Sequence, residues 1–494
     1  MSRRLLTRPS TVRAVFGDIT AHARACPCHA CASSVSRAAG RLVSGSAGGA
    51  HGQRYDNIWQ MESATTRFGR GCVSEVGYDL EMMGATRVAV ITDSTLARTP
   101  AVERAVSSLD ARGVKFDLFE DVRCEPTDAS LRQACDWAKA HGEHDAFLAI
   151  GGGSSIDTAK VVNLMTAHPE HDLFDFVNAP IGKGTPVPNA LRPLIAVVTT
   201  AGTGSEATGT AIFDHLESQT KTGIGSRRLR PTLGLVDPDL IGTMPREVAI
   251  ASGLDVLCHA IESYTAVPFD RRPPGKPASP VDRPAYQGAN PLSDFWSLHA
   301  LRIAASCFEA SLDGDGDARE QMALAATCAG VGFGNAGVHL PHAMSYPISG
   351  LNKVLPHVRH MQPGYDVEWP LIPHGISVAL PAPAVFRYTG PACPERHLAC
   401  AAILGADVSR AKSDDGEYAG ALLSEALVGL MKRIGLPLGL SHVGYKREDI
   451  GSLVAGTLPQ ERITKLAPCT ANREALELMF EDAADIRGDV YCKA

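Results

Sequence analysis

The sequence lacks the features that would place the protein in a membrane or on a polyanion. It has no run of about 18 uncharged apolar residues, the length that a membrane-spanning helix needs. Its formal net charge is −7, so no general affinity for nucleic acid or for an anionic membrane surface is expected. It also lacks a disulfide framework, because its 13 cysteines are scattered and odd in number, which is typical of a reducing compartment. What remains is an ordinary globular composition, 45% hydrophobic and 20% charged.

The first 50 residues are rich in Arg and Ser and almost free of acids. Their only acidic residue is Asp18. This composition is typical of a mitochondrial transit peptide, so residues 1–50 are predicted to direct the protein to the mitochondrial matrix; the alternative is a tail without a targeting role. The tract from Cys26 to Cys31 resembles a metal cluster, but it lacks a second ligand pair at zinc-finger spacing, and a metal site is not favoured there.

Beyond this leader, apolar runs alternate with helical stretches. At 494 residues the chain is too long for one hydrophobic core, so more than one domain is expected. Strands that alternate with helices predict a parallel sheet wound by right-handed crossovers. We interpret residues 51–243 as this α/β domain. Its predicted strands are 87–92, 114–119, 146–150 and 194–198, with β-like pieces at 222–225 and 233–236, and its predicted helices are 100–111, 129–139 and 155–165.

After residues 240–245 the pattern changes to long Ala- and Leu-rich segments. We interpret residues 244–494 as an all-helical domain. Residues 268–290 are rich in proline and are predicted to form a loop. The predicted helices of this second domain are 246–264, 293–311, 317–332, 376–387, 395–404, 416–433 and 472–486.

A glycine-rich turn follows one of the predicted strands. Gly151-Gly-Gly-Ser-Ser-Ile-Asp157 leads from a strand into a helix, where glycines allow a pyrophosphate to approach and the helix end offers free N–H groups. The alternative is a plain tight turn. Gly202 to Ala207 is a weaker match to a second glycine turn, and Asp93 could either accept bonds from an adenosine ribose or cap a helix.

Asp255 and His259 have the spacing of a metal-binding pair. Four residues apart on a predicted helix, they lie on one face, one turn apart. One carboxylate with imidazoles from other segments suits a catalytic divalent metal that keeps an open position for substrate. Candidates for the remaining ligands are His339, His342 and His374, each of which could instead be a core or surface histidine. Three others, His357, His360 and His397, are assigned to loops or the surface.

Five motifs in this order resemble the iron-containing (group III) alcohol dehydrogenases. The resemblance implies an α/β N-terminal dinucleotide-binding domain plus an all-α C-terminal metal-binding catalytic domain, the dehydroquinate synthase-like fold, with metal and nicotinamide between them. The motifs are Gly151-Gly-Gly-Ser-Ser155, Thr199-Thr-Ala-Gly-Thr-Gly-Ser-Glu206, Gly253-Leu-Asp-x3-His-Ala-Ile-Glu-Ser-Tyr264, His342-Ala-Met-Ser-Tyr-Pro347 and Pro373-His374-Gly375.

The same resemblance assigns residues to sites. It implies that Fe²⁺ or Zn²⁺ is bound by Asp255, His259, His342 and His374, with His339 outside the ligand set. It implies that NAD, tightly bound, contacts Asp93, Gly152, Gly153, Ser154, Asp157, Thr199, Thr200 and Lys221, with Asp93 disfavouring a 2′-phosphate. Tyr346 stands where many members have a second histidine, so Tyr346 or Lys221 is the expected proton carrier.

Three further stretches resemble the hydroxyacid–oxoacid transhydrogenase branch of this family. They are Pro284 to Pro291, Gly334 to Leu340 and Gly456 to Pro468. The branch activity couples oxidation of 4-hydroxybutyrate to succinic semialdehyde with reduction of 2-oxoglutarate to 2-hydroxyglutarate, by metal-assisted hydride transfer through bound NAD. The expected partners are therefore small hydroxy and oxo acids, and a homo-oligomer is expected. The alternatives are an NAD-dependent alcohol dehydrogenase with exchanging cofactor, a dehydroquinate synthase-like lyase, and a non-catalytic binding protein.

Both substrates carry carboxylates, so a cation is expected to face the cleft. The candidates are Arg227, Arg228 and Lys353, each of which could equally be a solvated surface residue. The segment from Leu351 to Leu371 is longer than in simple alcohol dehydrogenases and could shape the substrate entrance. Glu125 precedes a proline where many members have asparagine.

Overall fold

A six-stranded parallel sheet forms the N-terminal half of the protein in the computed structural model. The strands are β1 (Thr65–Phe68), β2 (Arg87–Ile91), β3 (Lys115–Phe119), β4 (Ala146–Gly151), β5 (Leu194–Val198), β6 (Thr210–His215), β7 (Thr220–Gly225) and β8 (Leu233–Val236). The order of strands in the parallel sheet is β1-β8-β5-β4-β2-β3, and a separate antiparallel pair consists of β6 and β7. The central strands are almost free of polar residues because helices cover both faces of the sheet.

The structure describes residues 55–273, 277, 279–280, 283–412, 415–436 and 438–484. All of these belong to one compact unit, Arg54–Ala494. The predicted transit peptide, residues 1–50, and the tract from Cys26 to Cys31 lie outside the described residues.

The strand order places a ligand crevice at one edge of the sheet. From β2 the chain moves outward to β3, and it then returns to β4 on the opposite side of β2. At such a reversal the following loops separate and leave a crevice at the carboxyl ends of the strands. Gly152 and Thr199 directly follow β4 and β5, and Asp93 is the second residue after β2, so three predicted cofactor residues lie at this edge of the sheet.

Helices cover the sheet and build the whole second half. The helices are α1 (Val76–Met82), α2 (Pro100–Ala111), α3 (Asp128–Ala140), α4 (Gly153–Ala167), α5 (Leu173–Phe176), α6 (Pro238–Ile241), α7 (Arg246–Thr265), α8 (Pro291–Leu312), α9 (Gly316–Ala336), α10 (Leu340–Leu351), α11 (His374–Ala379), α12 (Ala382–Thr389), α13 (Pro394–Ile403), α14 (Gly416–Arg433), α15 (Ile450–Thr457), α16 (Glu461–Thr464) and α17 (Arg473–Ala484). The predicted boundary after residue 243 falls between α6 and α7. The parallel sheet before it and the helices after it agree with the predicted fold class. Among the described helices, none combines the length and apolarity that crossing a bilayer requires.

The structure corrects the sequence interpretation at several elements. Helix α10 was not predicted, because Pro341 and Pro347 interrupt the helical pattern. The predicted helix 376–387 is two helices, α11 and α12, which divide at Pro381. His397 was assigned to a loop or the surface, and that assignment is wrong: it is fully buried in α13, and its Nε2 lies 2.9 Å from Thr389 Oγ1. Strands β1 and β6 were also not predicted.

Helix α7 runs through the centre of the helical half. Of its 20 residues, 15 are buried, so the helix has core contacts on most sides. Its buried polar residues, Asp255, His259 and Glu262, therefore need partners from neighbouring elements. Helix α11 packs beside α7 and carries His374, and α10, which packs against α11, carries His342.

Candidate metal and cofactor site

Four predicted metal ligands meet between α7, α10 and α11. Ligand atoms of Asp255, His259 and His342 all lie within 4.8 Å of one another. Asp255 Oδ1 is 3.5 Å from His259 Nε2 and 3.5 Å from His342 Nε2. His374, the first residue of α11, is slightly farther away, with its Nε2 3.9 Å from Asp255 Oδ1. The structure thus brings together all four predicted ligands, three of them closely.

The position of His374 depends on a close backbone contact. A Cβ atom on Gly375 would lie 1.9 Å from the carbonyl oxygen of Ala251 in α7. Only glycine therefore allows the start of α11 to approach α7 at the turn below Asp255. This contact places the His374 imidazole beside the α7 pair.

Polar atoms of all four side chains are buried without a hydrogen-bond partner in the described part of the chain. They are Asp255 Oδ1, His259 Nδ1, His342 Nε2 and His374 Nδ1. Buried polar atoms are normally paired, so Asp255 Oδ1 and His342 Nε2, unpaired and 3.5 Å apart, indicate a ligand that satisfies them. The unpaired nitrogens of His259 and His374 are Nδ1, and it is their Nε2 atoms that face Asp255. One carboxylate and three imidazoles are a donor set that both Fe²⁺ and Zn²⁺ accept. The residues present therefore fit the divalent metal that the sequence predicts.

Glu262 orients one of these histidines. Its Oε1 accepts a hydrogen bond from His342 Nδ1 at 2.6 Å, and both side chains are buried. A proton on Nδ1 leaves the lone pair of His342 Nε2 directed at the cluster, which is the usual carboxylate–histidine arrangement behind a metal ligand. No role was predicted for Glu262, although its position three residues after His259 puts it on the same face of α7.

His339 does not face the cluster. Its Nδ1 accepts from Leu340 N at 2.8 Å and its Nε2 lies 3.0 Å from Thr265 Oγ1, so both nitrogens are used. Its own N–H donates to Glu262 Oε2 at 2.7 Å. His339 therefore caps α10 and helps to hold Glu262 in place.

The charges of the cluster follow from burial and from its two acids. Burial lowers the pKa of His259 to about 3, which favours the neutral imidazole that a metal requires. Burial opposes protonation of His342 too, but Glu262 and Asp255 raise its pKa to about 9. Burial alone would raise the pKa of Asp255, yet the imidazoles around it, His259 first, hold it well below its usual range. The two carboxylates, Asp255 and Glu262, therefore favour a positive charge in the cluster.

The glycine turn after β4 forms a shallow cradle against the segment that follows β5. A Cβ atom on Gly152 would lie 3.0 Å from Thr200 Oγ1, and one on Gly153 would lie 2.8 Å from Thr203 Cγ2. Side chains are therefore excluded here, and helix α4 begins at Gly153 with its N–H groups directed at the edge of the sheet. This geometry suits an anionic group such as a pyrophosphate.

The other predicted cofactor residues have clear structural partners. Asp93 Oδ1 accepts from Thr95 N at 3.0 Å and from Leu96 N at 2.9 Å, so it forms a turn at the edge of the sheet. Ser154 Oγ accepts from Glu125 N at 3.0 Å. Asp157 accepts from the fully buried Lys160 and from Ile212 N, and so it ties α4 to β6. Thr199 is buried and Thr200 is half-buried beside Gly152.

Lys221 lies in a buried ionic network. Its Nζ is 3.0 Å from Glu125 Oε2 and 3.1 Å from Asp214 Oδ1. Lys353 is hydrogen-bonded to Asp214 and lies 3.5 Å from Glu125 Oε2. Burial lowers the pKa of Lys221, but the two carboxylates outweigh it and raise the pKa above its usual value. This predicted proton carrier is therefore a well-held ammonium group.

One cleft joins the metal cluster to the glycine turn. Its empty volume is about 730 Å³, counting the part open to solvent. The cluster residues, Gly153, Ser154, Lys221 and Tyr346 line it together with Tyr286, Phe333 and Val338. Phe333 also stacks on the His259 ring at 3.8 Å.

Two of the three cations predicted to receive substrate are already engaged. Arg227 donates to Gln60 Oε1 at 2.8 Å and lies 3.7 Å from Glu62 Oε1. Lys353 belongs to the network of Lys221. Arg228 is exposed on the surface.

Comparisons with known proteins agree with this geometry. The description "Iron-containing alcohol dehydrogenase" matches residues 63–238, and "Fe-containing alcohol dehydrogenase family, C-terminal" matches residues 285–362 and 370–484. The chain is 49% identical to the mitochondrial hydroxyacid-oxoacid transhydrogenase of Bos taurus, over 92% of this chain and 95% of that protein. It is also 49% identical to the Homo sapiens protein of the same name, over 87% and 90%. A crystal structure of 1,3-propanediol oxidoreductase superposes with a TM-score of 0.72 at 26% identity, over 86% of this chain and all of that one.

Proposed function

The chain belongs to the iron-containing alcohol dehydrogenase family, and on that premise we propose that it transfers hydride from a hydroxy acid to an oxo acid through bound NAD. The observation that carries this proposal is one cleft that holds both the four unpaired ligand side chains and the glycine turn at the start of α4. A metal site alone would suit hydrolysis or elimination. Together with a dinucleotide cradle, it suits hydride transfer.

The substrates follow from the similarity to hydroxyacid-oxoacid transhydrogenases over most of the chain. We assign 4-hydroxybutyrate as the hydride donor, which becomes succinic semialdehyde, and 2-oxoglutarate as the acceptor, which becomes 2-hydroxyglutarate. The relatives carry the word mitochondrial in their names, and we place this protein in the mitochondrial matrix as well. A homo-oligomer remains the expectation for its assembly.

Asp255, His259, His342 and His374 would hold the metal, with Fe²⁺ as the first candidate and Zn²⁺ as the second. A bound divalent metal acts as a Lewis acid on the substrate oxygen. The protein's part is to keep the donor atoms in place: Glu262 fixes the His342 ring, and Phe333 covers one face of His259.

Gly152, Gly153 and Ser154 would receive the NAD pyrophosphate at the N-terminus of α4. Thr199 and Thr200 would form the opposite wall, and Asp157 would hold the start of α4 against β6. Asp93, at the end of β2, is proposed to meet the adenosine ribose, as in other sheets where ligands bind at a reversal of strand order.

A transhydrogenation releases one proton in its first half and takes one up in its second. A single group in the cleft can therefore serve both halves. Tyr346 and Lys221 both line the cleft, but the carboxylates around Lys221 keep its proton in place. Burial raises the pKa of the Tyr346 phenol, so its hydroxyl stays neutral and can share a hydrogen bond with the substrate oxygen. We propose that Tyr346 relays the proton: it takes the proton of the substrate hydroxyl in the first half as its own phenol proton leaves to solvent, and the reverse occurs in the second half. Lys221 holds the cofactor side of the cleft.

The proposal is tested by label transfer without free cofactor. Desalted enzyme is incubated with 4-hydroxybutyrate carrying deuterium at C4, with and without 2-oxoglutarate, and the products are identified by mass spectrometry. With both acids, we expect deuterated 2-hydroxyglutarate in many equivalents per enzyme. Without 2-oxoglutarate, succinic semialdehyde should stop at about one equivalent per bound NAD.

Two other results of this assay would each indicate a different function. Turnover that begins only after NAD is added would show an alcohol dehydrogenase with exchanging cofactor. Absence of label transfer under both conditions, in protein that contains metal, would contradict hydride transfer and favour a lyase.

A further inference from the structure

Three segments meet at one end of the cleft, away from the glycine turn. They are residues 284–291, 334–340 and 456–468. Gln287 N donates to Asn335 O at 2.8 Å. Val267 bridges to the third segment, because Ala289 N donates to Val267 O at 2.9 Å and Val267 N donates to Leu466 O at 2.8 Å. Their side chains form a small apolar cluster that is separate from the main core. It consists of Tyr286, Phe333, Val338, Ala343, Tyr346, Ile463 and Leu466. This end of the cleft therefore offers an apolar surface to a substrate chain.

Arg462 lies at the border of this cluster. Its guanidinium carbon is 5.0 Å from the centre of the Tyr286 ring, which lines the cleft. Burial raises the pKa of Tyr346, and the charge of Arg462 is the strongest influence that opposes it. Gln460, two residues earlier, donates to the carbonyl of Lys221 at 3.4 Å and fixes this segment to β7.

Arg462 differs from most cations around the cleft in having no acidic partner. Among the described residues, no carboxylate lies within ion-pair distance of it, whereas Lys221 and Lys353 are bound by Glu125 and Asp214, and Arg227 is near Glu62. Arg123 also has no acidic partner there, but its guanidinium lies 3.6 Å from the centre of the Trp369 ring, which does not line the cleft, whereas Arg462 lies against Tyr286, which does. A half-buried guanidinium without a counter-charge, beside an apolar surface, suits an anion with an aliphatic chain.

We propose that Arg462 binds the substrate carboxylate that lies two methylene groups from the reacting carbon. This inference rests on the proposed function and names the substrate class of that same site. In 4-hydroxybutyrate the carbinol carbon is separated from its carboxylate by two methylenes. In 2-oxoglutarate the keto carbon is separated from the distal carboxylate by two methylenes as well. One fixed cation therefore serves both half-reactions, and Tyr286, Phe333 and Val338 contact the methylenes.

The test compares acids with a neutral substrate of the same shape. The substrates are 4-hydroxybutyrate and its amide, 4-hydroxybutanamide, and kcat/KM is measured for both in the wild type and in Arg462→Gln. We expect the variant to lose roughly 30-fold or more on the acid, mainly through KM, and to change little on the amide. Arg462→Lys should recover part of the loss, because it keeps the charge but not the two-pronged hydrogen bonding.

Chain length supplies a second readout. The wild type should prefer 4-hydroxybutyrate over 3-hydroxypropionate and 5-hydroxypentanoate, and Arg462→Gln should flatten this preference. Two variants serve as matched controls. Lys465→Gln removes a charge from the same segment, where Lys465 is exposed and paired with Glu461. Arg123→Gln removes the other unpaired guanidinium. Both should keep the wild-type preference for acid over amide.

The outcomes separate this inference from the proposed function. If the wild type turns over neither 4-hydroxybutyrate nor 2-oxoglutarate, the proposed function fails. If it turns over both, and Arg462→Gln keeps the wild-type ratio of kcat/KM for 4-hydroxybutyrate to kcat/KM for its amide, Arg462 is not the carboxylate site. A loss that follows Arg123→Gln instead would also overturn the assignment. Metal content and melting temperature are recorded for each variant, and Arg462→Lys replaces Arg462→Gln if the latter does not fold.

Discussion

Replacing His342 by alanine is expected to remove both metal and activity. The His342 imidazole supplies an unpaired Nε2 to the cluster, while its Nδ1 is held by Glu262. Alanine takes away one of four ligands and leaves the buried Glu262 carboxylate without its partner. We expect less than about a tenth of the wild-type metal content after dialysis and a loss of about 1000-fold or more in the rate of hydride transfer, since the Lewis acid contributes several kcal/mol. Metal analysis and the label-transfer assay measure the two effects.

Glu262→Gln provides a graded comparison. The amide can still hold the His342 ring but no longer carries charge, so metal affinity should fall by about 10- to 100-fold, as for other groups that orient metal ligands. His299→Ala is the control, because His299 is exposed on α8 and distant in sequence from every ligand. Full metal content and activity in His342→Ala would rule out His342 as a ligand.

Replacing Lys221 by methionine is expected to destabilise the protein strongly. In the wild type, the negative charges of Glu125 and Asp214 are balanced by the positive charges of Lys221 and Lys353, and all four charged groups are largely buried. Without Lys221, two carboxylates share one ammonium group. Breaking a buried pair in this way typically costs about 3–5 kcal/mol, which denaturant unfolding at pH 7 would measure.

The pH dependence of this loss has a definite sign. Burial would raise the pKa of Glu125, but Lys221 and Lys353 lower it from 4.5 to about 2. Because the folded-state pKa is depressed, the stabilisation is complete above about pH 4.5 and is lost as pH falls towards 2. In Lys221→Met the stranded carboxylate takes up a proton more readily, so the difference from the wild type should shrink as pH is lowered to 4.5.

A second substitution separates charge balance from other roles of Lys221. Glu125→Gln in the Lys221→Met background restores one acid for one base and should recover about 1–3 kcal/mol. Activity should not recover with it, because Lys221 lines the cleft. If Lys221→Met were as stable as the wild type and only inactive, the network would not be a structural element and Lys221 would be a direct participant in proton transfer.

The sequence predicted the α/β half well because burial leaves a clear pattern there. β4 and β5 are continuous apolar runs, and each ends in a turn whose glycines or threonines mark the edge of the sheet. In α10 the same kind of reasoning failed, since Pro341 and Pro347 are normally signs of a helix end. The structure shows that Pro341 occupies the first turn, where its missing N–H costs nothing.

The candidate site was only partly visible in the sequence for a similar reason. Asp255 and His259 could be paired from their spacing, because both lie on one helix. His342 and His374 lie 83 and 115 residues after His259 (342 − 259; 374 − 259), so only the family resemblance selected them. The prediction of cations that bind the substrate carboxylates failed for a different reason. Arg227 and Lys353 lie near Glu62 and Asp214 in the fold, and these acids are too remote in sequence to be recognised as their partners.

The proposed function depends most on one metal bound by one acid and three imidazoles. Crystals of the metal-loaded protein, measured on both sides of the absorption edge of the bound metal, would locate it directly. The expected result is a single anomalous peak about 2.0–2.3 Å from Asp255, His259, His342 and His374. A peak elsewhere, such as at the tract from Cys26 to Cys31, with none between these four side chains, would contradict the account.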